Sequence, residues 1–195
     1  MKNALIFGGS SGLGFEIARI FQDSKIFEPI ICSRNPPNSK DKTAIKHEEC
    51  DLGRFTVNCF LNLFNKYDSI SSLCFSQRFR SENKTNLDEF HLEEYNVMVL
   101  SICRAIEAFK IYKNNSPSNE NINFTRILVI GSVYSESIGL DQDHNYHACK
   151  FAQLGLIRYF ALQSKASFNI NMLSPATYVK KGAEKYWNDH PKSEL

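Results

Sequence analysis

The apolar positions of this chain fall into short uninterrupted runs, separated by longer stretches of helical spacing. Ala4-Leu5-Ile6-Phe7 is the first run and Pro29-Ile30-Ile31-Cys32 the second. Ser72-Leu73-Cys74-Phe75, Ile127-Leu128-Val129-Ile130 and Phe168 to Leu173 follow. Runs of this length are what strands buried on both faces require, and such strands belong to parallel sheets. Between them Ile17, Ala18, Ile20 and Phe21, then Phe55 to Phe64, then Tyr95 to Phe109 recur as in amphipathic helices. Strands alternating with helices predict βαβ units and an α/β fold with both sheet faces covered, in three layers. Arg34 to Lys42 and Lys113 to Asn123 are rich in Pro, Ser and Asn and read as loops, the second a surface insertion. No repeat and no linker divides the chain, so residues 1–195 are expected to form a single domain.

Composition narrows the partners. With 43% hydrophobic and 23% charged residues the chain reads as globular. A net charge of +2 argues against nucleic acid and against an anionic membrane surface. No apolar stretch is long enough to span a bilayer, and the run after Asn3 breaks at once into glycines rather than continuing as a secretory leader. The six cysteines form no C-x-x-C pair and mostly sit inside apolar runs, the pattern of reduced thiols in a cytoplasmic protein. His144, His147 and Cys149 are close enough in sequence to raise a metal site. Without a further ligand cluster they read as loop and surface residues, and no metal is expected.

Gly8-Gly9-Ser10-Ser11-Gly12-Leu13-Gly14 lies between the first expected strand and the first expected helix. Glycines there permit a tight turn and let the backbone approach a pyrophosphate, while the helix N-terminus presents free N–H groups to the anion. That position makes the sheet one of the Rossmann type, doubly wound. About twenty residues on, an acidic side chain would accept from the ribose hydroxyls of NAD(H). This chain has Ser33 and Arg34 instead, and Arg34 offers a bidentate contact to a 2′-phosphate, with Ser33 adding a hydrogen bond. The cofactor expected is therefore NADP(H) rather than NAD(H).

Tyr146 and Lys150 stand four apart, on one face of a helix. A free phenol titrates near ~10, and a neighbouring ammonium favours the phenolate, so the pair suits proton transfer at neutral pH. Ser132 follows the run Ile127 to Ile130 and sits at the carboxyl edge of the sheet, where open α/β proteins bind ligands. It can hydrogen-bond a carbonyl oxygen there, or simply cap a turn or helix.

The glycine pattern, the strand-end serine and Y-x-x-x-K, in this order and spacing, resemble the short-chain dehydrogenase/reductase family, from about Asn3 to Pro175. The spacing of Gly8, Gly12 and Gly14 resembles the family's shorter, non-epimerase branch. Asp51-Leu52, after a third strand, resembles its adenine-contacting acidic position, and Asn96 the asparagine that holds a proton-relay water in many members. The resemblance implies that Tyr146 is the general acid in carbonyl reduction and the base in alcohol oxidation. It implies that Lys150 assists the tyrosine and binds the nicotinamide ribose, that Ser132 orients the substrate oxygen, and that Asn96 supports the relay. Gly8, Ser10, Ser11, Gly12, Leu13, Gly14, Ser33, Arg34, Asp51, Leu52, Tyr146, Lys150 and Pro175 would contact the cofactor, and the partner would be a small carbonyl or alcohol.

The chain departs from the family at several points. Phe7 replaces the threonine before the first glycine, and Phe75-Ser76-Gln77-Arg78 replaces Asn-Asn-Ala-Gly. Pro175-Ala176 stands for Pro-Gly, and Lys180 lies near a usual nicotinamide-contacting threonine. The stretch after Pro175 is short for a covering segment and a last strand. Residues 176–195 are expected to form a short lid or tail that includes Lys185-Tyr186-Trp187, leaving a sheet edge to be covered. The departures keep a non-catalytic NADP(H)-binding sensor or scaffold as the alternative function. A nucleotide-sugar epimerase or dehydratase ranks behind it. The apolar faces of Tyr95 to Phe109 and of Phe151, Leu154, Leu156 and Ile157 resemble helices that pair across a homodimer axis in the family.

Overall fold

The computed structural model describes residues 2–37, 45–79, 86–115, 125–139, 142–163 and 168–176. Among these, six strands form one sheet: β1 (Lys2–Phe7), β2 (Phe27–Ser33), β3 (Lys46–Glu49), β4 (Ile70–Phe75), β5 (Thr125–Ile130) and β6 (Phe168–Leu173). Their order is β3-β2-β1-β4-β5-β6, and every pairing is parallel. The chain moves outward from β1 in one direction, then returns through β4 and moves outward in the other. That reversal opens a crevice beyond the carboxyl ends of β1 and β4. Five strands lie on the apolar runs. β3 does not: Lys46-His47-Glu48-Glu49 is a short, charged edge strand, the composition that protects a sheet edge.

α1 (Gly12–Ser24) covers one face, with Phe15, Ile17, Ala18 and Phe21 packed on Ile6, Ile31 and Cys74. Ile20 is 64% exposed, so it belongs to the solvent side of α1 and not to its core stripe. α2 (Val57–Phe64), α4 (Ser101–Asn115) and α5 (His144–Gln163) cover the other face in a cluster built around phenylalanines. Phe7 and Phe75, the two residues that depart from the family pattern on adjacent strands, stack on each other with centroids 4.9 Å apart. Phe60 meets Phe7 edge-on at 5.6 Å. An aromatic stack therefore braces β1 to β4, at the two positions where the resemblance has threonine and asparagine.

The helix expected over Tyr95 to Phe109 is longer and irregular. α3 (Leu87–Tyr95), capped by the Asn86 side chain, runs into a π-helical segment at Asn96–Leu100 and continues as α4. α4 extends to Asn115, so the start of the expected insertion is helical, and residues 116–124 lie outside the described residues. Residues 34–37 carry no regular structure, as expected of a loop; 38–44 lie outside the described residues, as does the tail from residue 177, Lys180 included. No helix among the described residues is long and apolar enough to cross a membrane.

Candidate active site

The carboxyl ends of β1, β2, β4 and β5 open onto one cavity of about 890 Å³. Gly8, Ser10, Ser11, Gly12 and Leu13 line it at the first βα turn. Gly8 has φ +81 and its N–H donates to Cys32 O at 3.0 Å, which turns the chain sharply off β1. Gly14 does not line the cavity. It is buried, and a Cβ there would stand 2.7 Å from Gly8 O, so its role is the close packing of α1 on the turn. Ser11 is the N-cap of α1, yet its side chain makes no capping bond and the first turn holds no acidic residue. α2 and α3, by contrast, are capped by Thr56 and Asn86. Among the described residues no side chain caps the amides at the start of α1, which border the cavity, an arrangement that fits a phosphate.

Ser33, Arg34, Asp51 and Leu52 line the far end of the same cavity. Ser33 Oγ donates to Asn35 O at 2.7 Å, and His47 Nε2 lies 3.0 Å from Ser33 O, so the turn after β2 is held by its own bonds. Arg34 projects from that turn and is exposed. Asp51 Oδ1 accepts from the Gly53 N–H at 3.2 Å, and its other oxygen lies 3.7 Å from Arg54. Pro175, after β6, completes the wall at the opposite end, where its carbonyl accepts from the Val133 N–H at 3.2 Å.

Ser132, Tyr146 and Lys150 line the cavity together. Ser132 caps a short 3-10 turn at Val133–Ser135, accepting from the Tyr134 N–H at 3.2 Å. Both readings of this serine are therefore compatible: the cap uses its oxygen lone pair and leaves the hydroxyl proton available to a substrate oxygen. Lys150 is buried, 3% exposed, with its Nζ 5.6 Å from the Tyr146 ring centroid. The ammonium donates to Ile130 O at 3.1 Å and to Gln153 Oε1 at 3.0 Å. Asn96 opens the π segment, where its carbonyl accepts from the Ser101 N–H; it is not among the residues that line the cavity, although Val97 next to it is.

Three further residues shape this site, and two of them, Gln153 and Gln77, carry no signal of their contacts in the sequence. Gln153 is 1% exposed and ties Lys150 to the π segment, its Nε2 donating to Met98 O at 2.6 Å. Gln77, at the end of β4, donates to Val97 O at 3.3 Å and to Ser101 Oγ at 3.2 Å. Tyr134 packs edge-on against His147 at 4.8 Å and Tyr146 at 6.5 Å. The π segment explains the first two. Its i→i+5 pattern takes carbonyls out of the regular helical ladder, and glutamines from β4 and α5 meet them. Gln153→Leu leaves Met98 O and the Lys150 ammonium each short of a partner. It is expected to cost about 1–3 kcal/mol in urea unfolding, whereas a surface substitution at Arg158 should cost under about 0.5 kcal/mol.

His147 is buried, not a surface residue, with Nε2 2.8 Å from Gly139 O. Nor do His144, His147 and Cys149 converge. His144 is exposed and lies instead with His91 and Asp143, their ligand atoms within 4.8 Å of one another, while Cys149 is buried against Met98 and Val99.

Burial, with the charge of Arg78 adding to it, lowers the Lys150 ammonium from its usual 10.5 to about 8. Between these values the unfolded chain holds a proton that the folded one has released, so stability rises with pH across that window. Below about pH 8 the full cost is present, about 3 kcal/mol. Buried thiols such as Cys50 and Cys74 are pushed up by desolvation and work in the opposite sense. The lysine is therefore read by difference: from pH 8 to 10 the unfolding free energy of the wild type should gain on that of Lys150→Met. Parallel pH profiles would contradict the assignment.

No protein-family model matches this sequence, and no curated protein matches it. Solved structures do. Ligand-free aldohexose dehydrogenase of Thermoplasma acidophilum superposes with a TM-score of 0.76 at 24% identity, over 99% of this chain and 73% of that one. Pseudomonas aeruginosa RhlG, in an active-site complex with NADP, gives 0.75 at 21% over 97% and 77%. A short chain dehydrogenase family protein of Francisella tularensis gives 0.74 at 18% over 97% and 76%. The crevice, the strand order and these superpositions agree, and the chain has the fold of the short-chain dehydrogenases.

Proposed function

We propose that this chain is a member of the short-chain dehydrogenase/reductase family and an NADP(H)-dependent oxidoreductase that interconverts a carbonyl and an alcohol. The observation that carries the reading is that Ser132, Tyr146 and Lys150 share one cavity with the glycine turn and the uncapped start of α1. The site fits a dinucleotide: amides at Ser11 to Leu13 for the pyrophosphate, Asp51 and Leu52 for the adenine, Arg34 for a 2′-phosphate, Lys150 for the nicotinamide ribose. Bound there, NADP(H) supplies or accepts the hydride. Ser132 donates its free hydroxyl proton to the substrate oxygen and fixes its position. The Tyr146 phenol gives its proton to that oxygen in reduction and takes one back in oxidation. Lys150, anchored by Ile130 O and Gln153, holds its positive charge beside the ring and stabilises the phenolate left behind. Asn96, at the head of the π segment, supports proton resupply.

Titration with NADPH and NADH, followed by cofactor fluorescence, tests the cofactor. Saturable binding is expected, tighter for NADPH by about tenfold or more, the gain of a charge-assisted contact. Arg34→Ala should remove most of that preference. Preference for NADH would displace Arg34 from its role, and binding of neither would remove the oxidoreductase reading. A second reading, a non-catalytic NADP(H)-binding protein, draws on the placement of Asn96 off the cavity wall and on the altered β4 end; hydride transfer to any carbonyl would dispose of it. Of the faces expected to pair, Ile157 and most apolar residues from Met98 to Phe109 are buried in the chain's own core, so we propose a homodimer through the outer face of α5, where Phe151, Tyr159 and Leu162 are exposed. Light scattering at micromolar concentration should give twice the 22.3 kDa chain mass, and a monomer mass would refute it. The six free thiols suit a reducing, cytoplasmic setting.

A further inference from the structure

Arg78 is a cation at the catalytic end of this cavity that the chemistry above leaves without a task. It follows β4, at the position where the resemblance has a glycine, and it lines the same wall as Ser132 and Tyr146. Its Cζ stands 4.9 Å from the Tyr146 ring centroid, and its Nη2 donates to Gln142 Oε1 at 2.8 Å. A guanidinium carries five donors in a planar fork, and these two contacts fix its place while leaving most of the fork unspent. Among the described residues no ion pair involves Arg78. Of the carboxylates on the cavity wall, Asp51 is paired with Arg54 at 3.7 Å and Glu93 is paired with neither cation of the catalytic end. Lys150 approaches the same ring at 5.6 Å, and the two cations repel each other enough to add to the lowering of the lysine. The buried Glu94 carboxylate acts on Lys150, but among the described residues no carboxylate is paired with Arg78, so its charge beside the ring favours an anion there. The dinucleotide phosphates are met elsewhere, at the glycine turn and Arg34.

We propose that Arg78 binds an anionic group, carboxylate or phosphate, carried by the substrate itself, so that the substrate class is an anionic carbonyl or alcohol. The inference rests on the oxidoreductase reading, and its test keeps the two apart. The protein, with saturating NADPH, is given matched pairs that differ only in the charge: acetoacetate and its methyl ester, levulinate and its methyl ester, glyceraldehyde 3-phosphate and glyceraldehyde. In at least one pair the anion should have a kcat/KM about 10- to 100-fold higher, the gain expected of a charge-assisted hydrogen bond. A preference confined to the first two pairs names a carboxylate, and one confined to the last names a phosphate. Arg78→Gln should bring the ratio to about one, and Arg78→Lys should keep part of it.

Equal or better use of the neutral member in every pair overturns the proposal, as does a preference that survives Arg78→Gln. A second measurement is independent of turnover. The Arg78 Nε–Hε resonance of ¹⁵N-arginine-labelled protein, assigned by its loss in Arg78→Gln, should move on addition of levulinate or inorganic phosphate and not of methyl levulinate. An unmoved resonance overturns the anion site. A shifted resonance with no substrate reduced retains the anion site and rejects the oxidoreductase reading.

Discussion

Replacing Tyr146 by phenylalanine is expected to lower kcat by about 10²- to 10⁴-fold, the range a positioned general acid–base contributes. The change removes one oxygen and nothing else. The ring keeps the Arg78 guanidinium at 4.9 Å and Tyr134 edge-on at 6.5 Å, so packing around α5 should persist. Lys150 also keeps its anchors on Ile130 O and Gln153. The variant should unfold within about 1 kcal/mol of the wild type and bind NADPH within about tenfold, since the phenol is one contact among many along the dinucleotide. Loss of turnover with retained cofactor binding is thus the expected pairing, read by stopped turnover and fluorescence titration on the same sample. A kcat unchanged to within a few-fold would mean that another group moves the proton, and would take the central role away from Tyr146.

Gly8→Ala should be the most damaging single methyl group added to this chain. Gly8 and Gly12 both have positive φ, +81 and +62, where an L side chain is strained. They differ in what surrounds the missing Cβ. At Gly12 nothing lies within 4 Å, so the alanine variant should lose only the backbone term, about 1–2 kcal/mol. At Gly8 the new carbon would stand 2.5 Å from Gln77 Cα and 2.6 Å from Gln77 N, both backbone atoms of the β4 end. Relief requires β1 and β4 to part just where Phe7 stacks on Phe75. A loss of about 4 kcal/mol or more is expected, a fall of roughly 8–16 °C in Tm at this chain length. NADPH binding should go with it. Similar Tm values for the two variants would show that the turn after β1 is looser than its geometry implies.

These two tests draw on different amounts of sequence. β1, β2, β4, β5 and β6 were legible because strands buried on both faces must be continuously apolar, and the glycine turn and Y-x-x-x-K announce themselves by spacing. β3 entered only through the resemblance, as the third strand before Asp51, and not through the apolar pattern, because an edge strand that must repel other edges looks like a loop. α3 hid for a similar reason: Leu87-Asp88-Glu89-Phe90-His91-Leu92-Glu93-Glu94-Tyr95 buries only Phe90 and Glu94, and two points do not make a stripe. Ile20 misled in the opposite way, as an apolar residue at helical spacing that faces water. Gln77 and Gln153 could not be found from spacing at all, since a polar residue does not reveal which carbonyl it will meet. The π segment that supplies those carbonyls leaves no mark in the hydrophobic pattern of Asn96-Val97-Met98-Val99-Leu100.

The π segment also sets helical phase. Deleting any one residue between Asn96 and Leu100 would restore a regular helix and turn α3 by about 100° about its axis relative to α4. Phe90 and Glu94 would rotate out of the interior, and Asn145, at the start of α5, would lose the Glu94 carboxylate that it now contacts at 2.6 Å. Glu93, which lines the cavity, would swing with them. The sheet and the glycine turn would stay in place. Single-residue insertions and deletions in this stretch, more than substitutions, are therefore the changes through which one wall of the site can be re-indexed while the rest of the fold stands still.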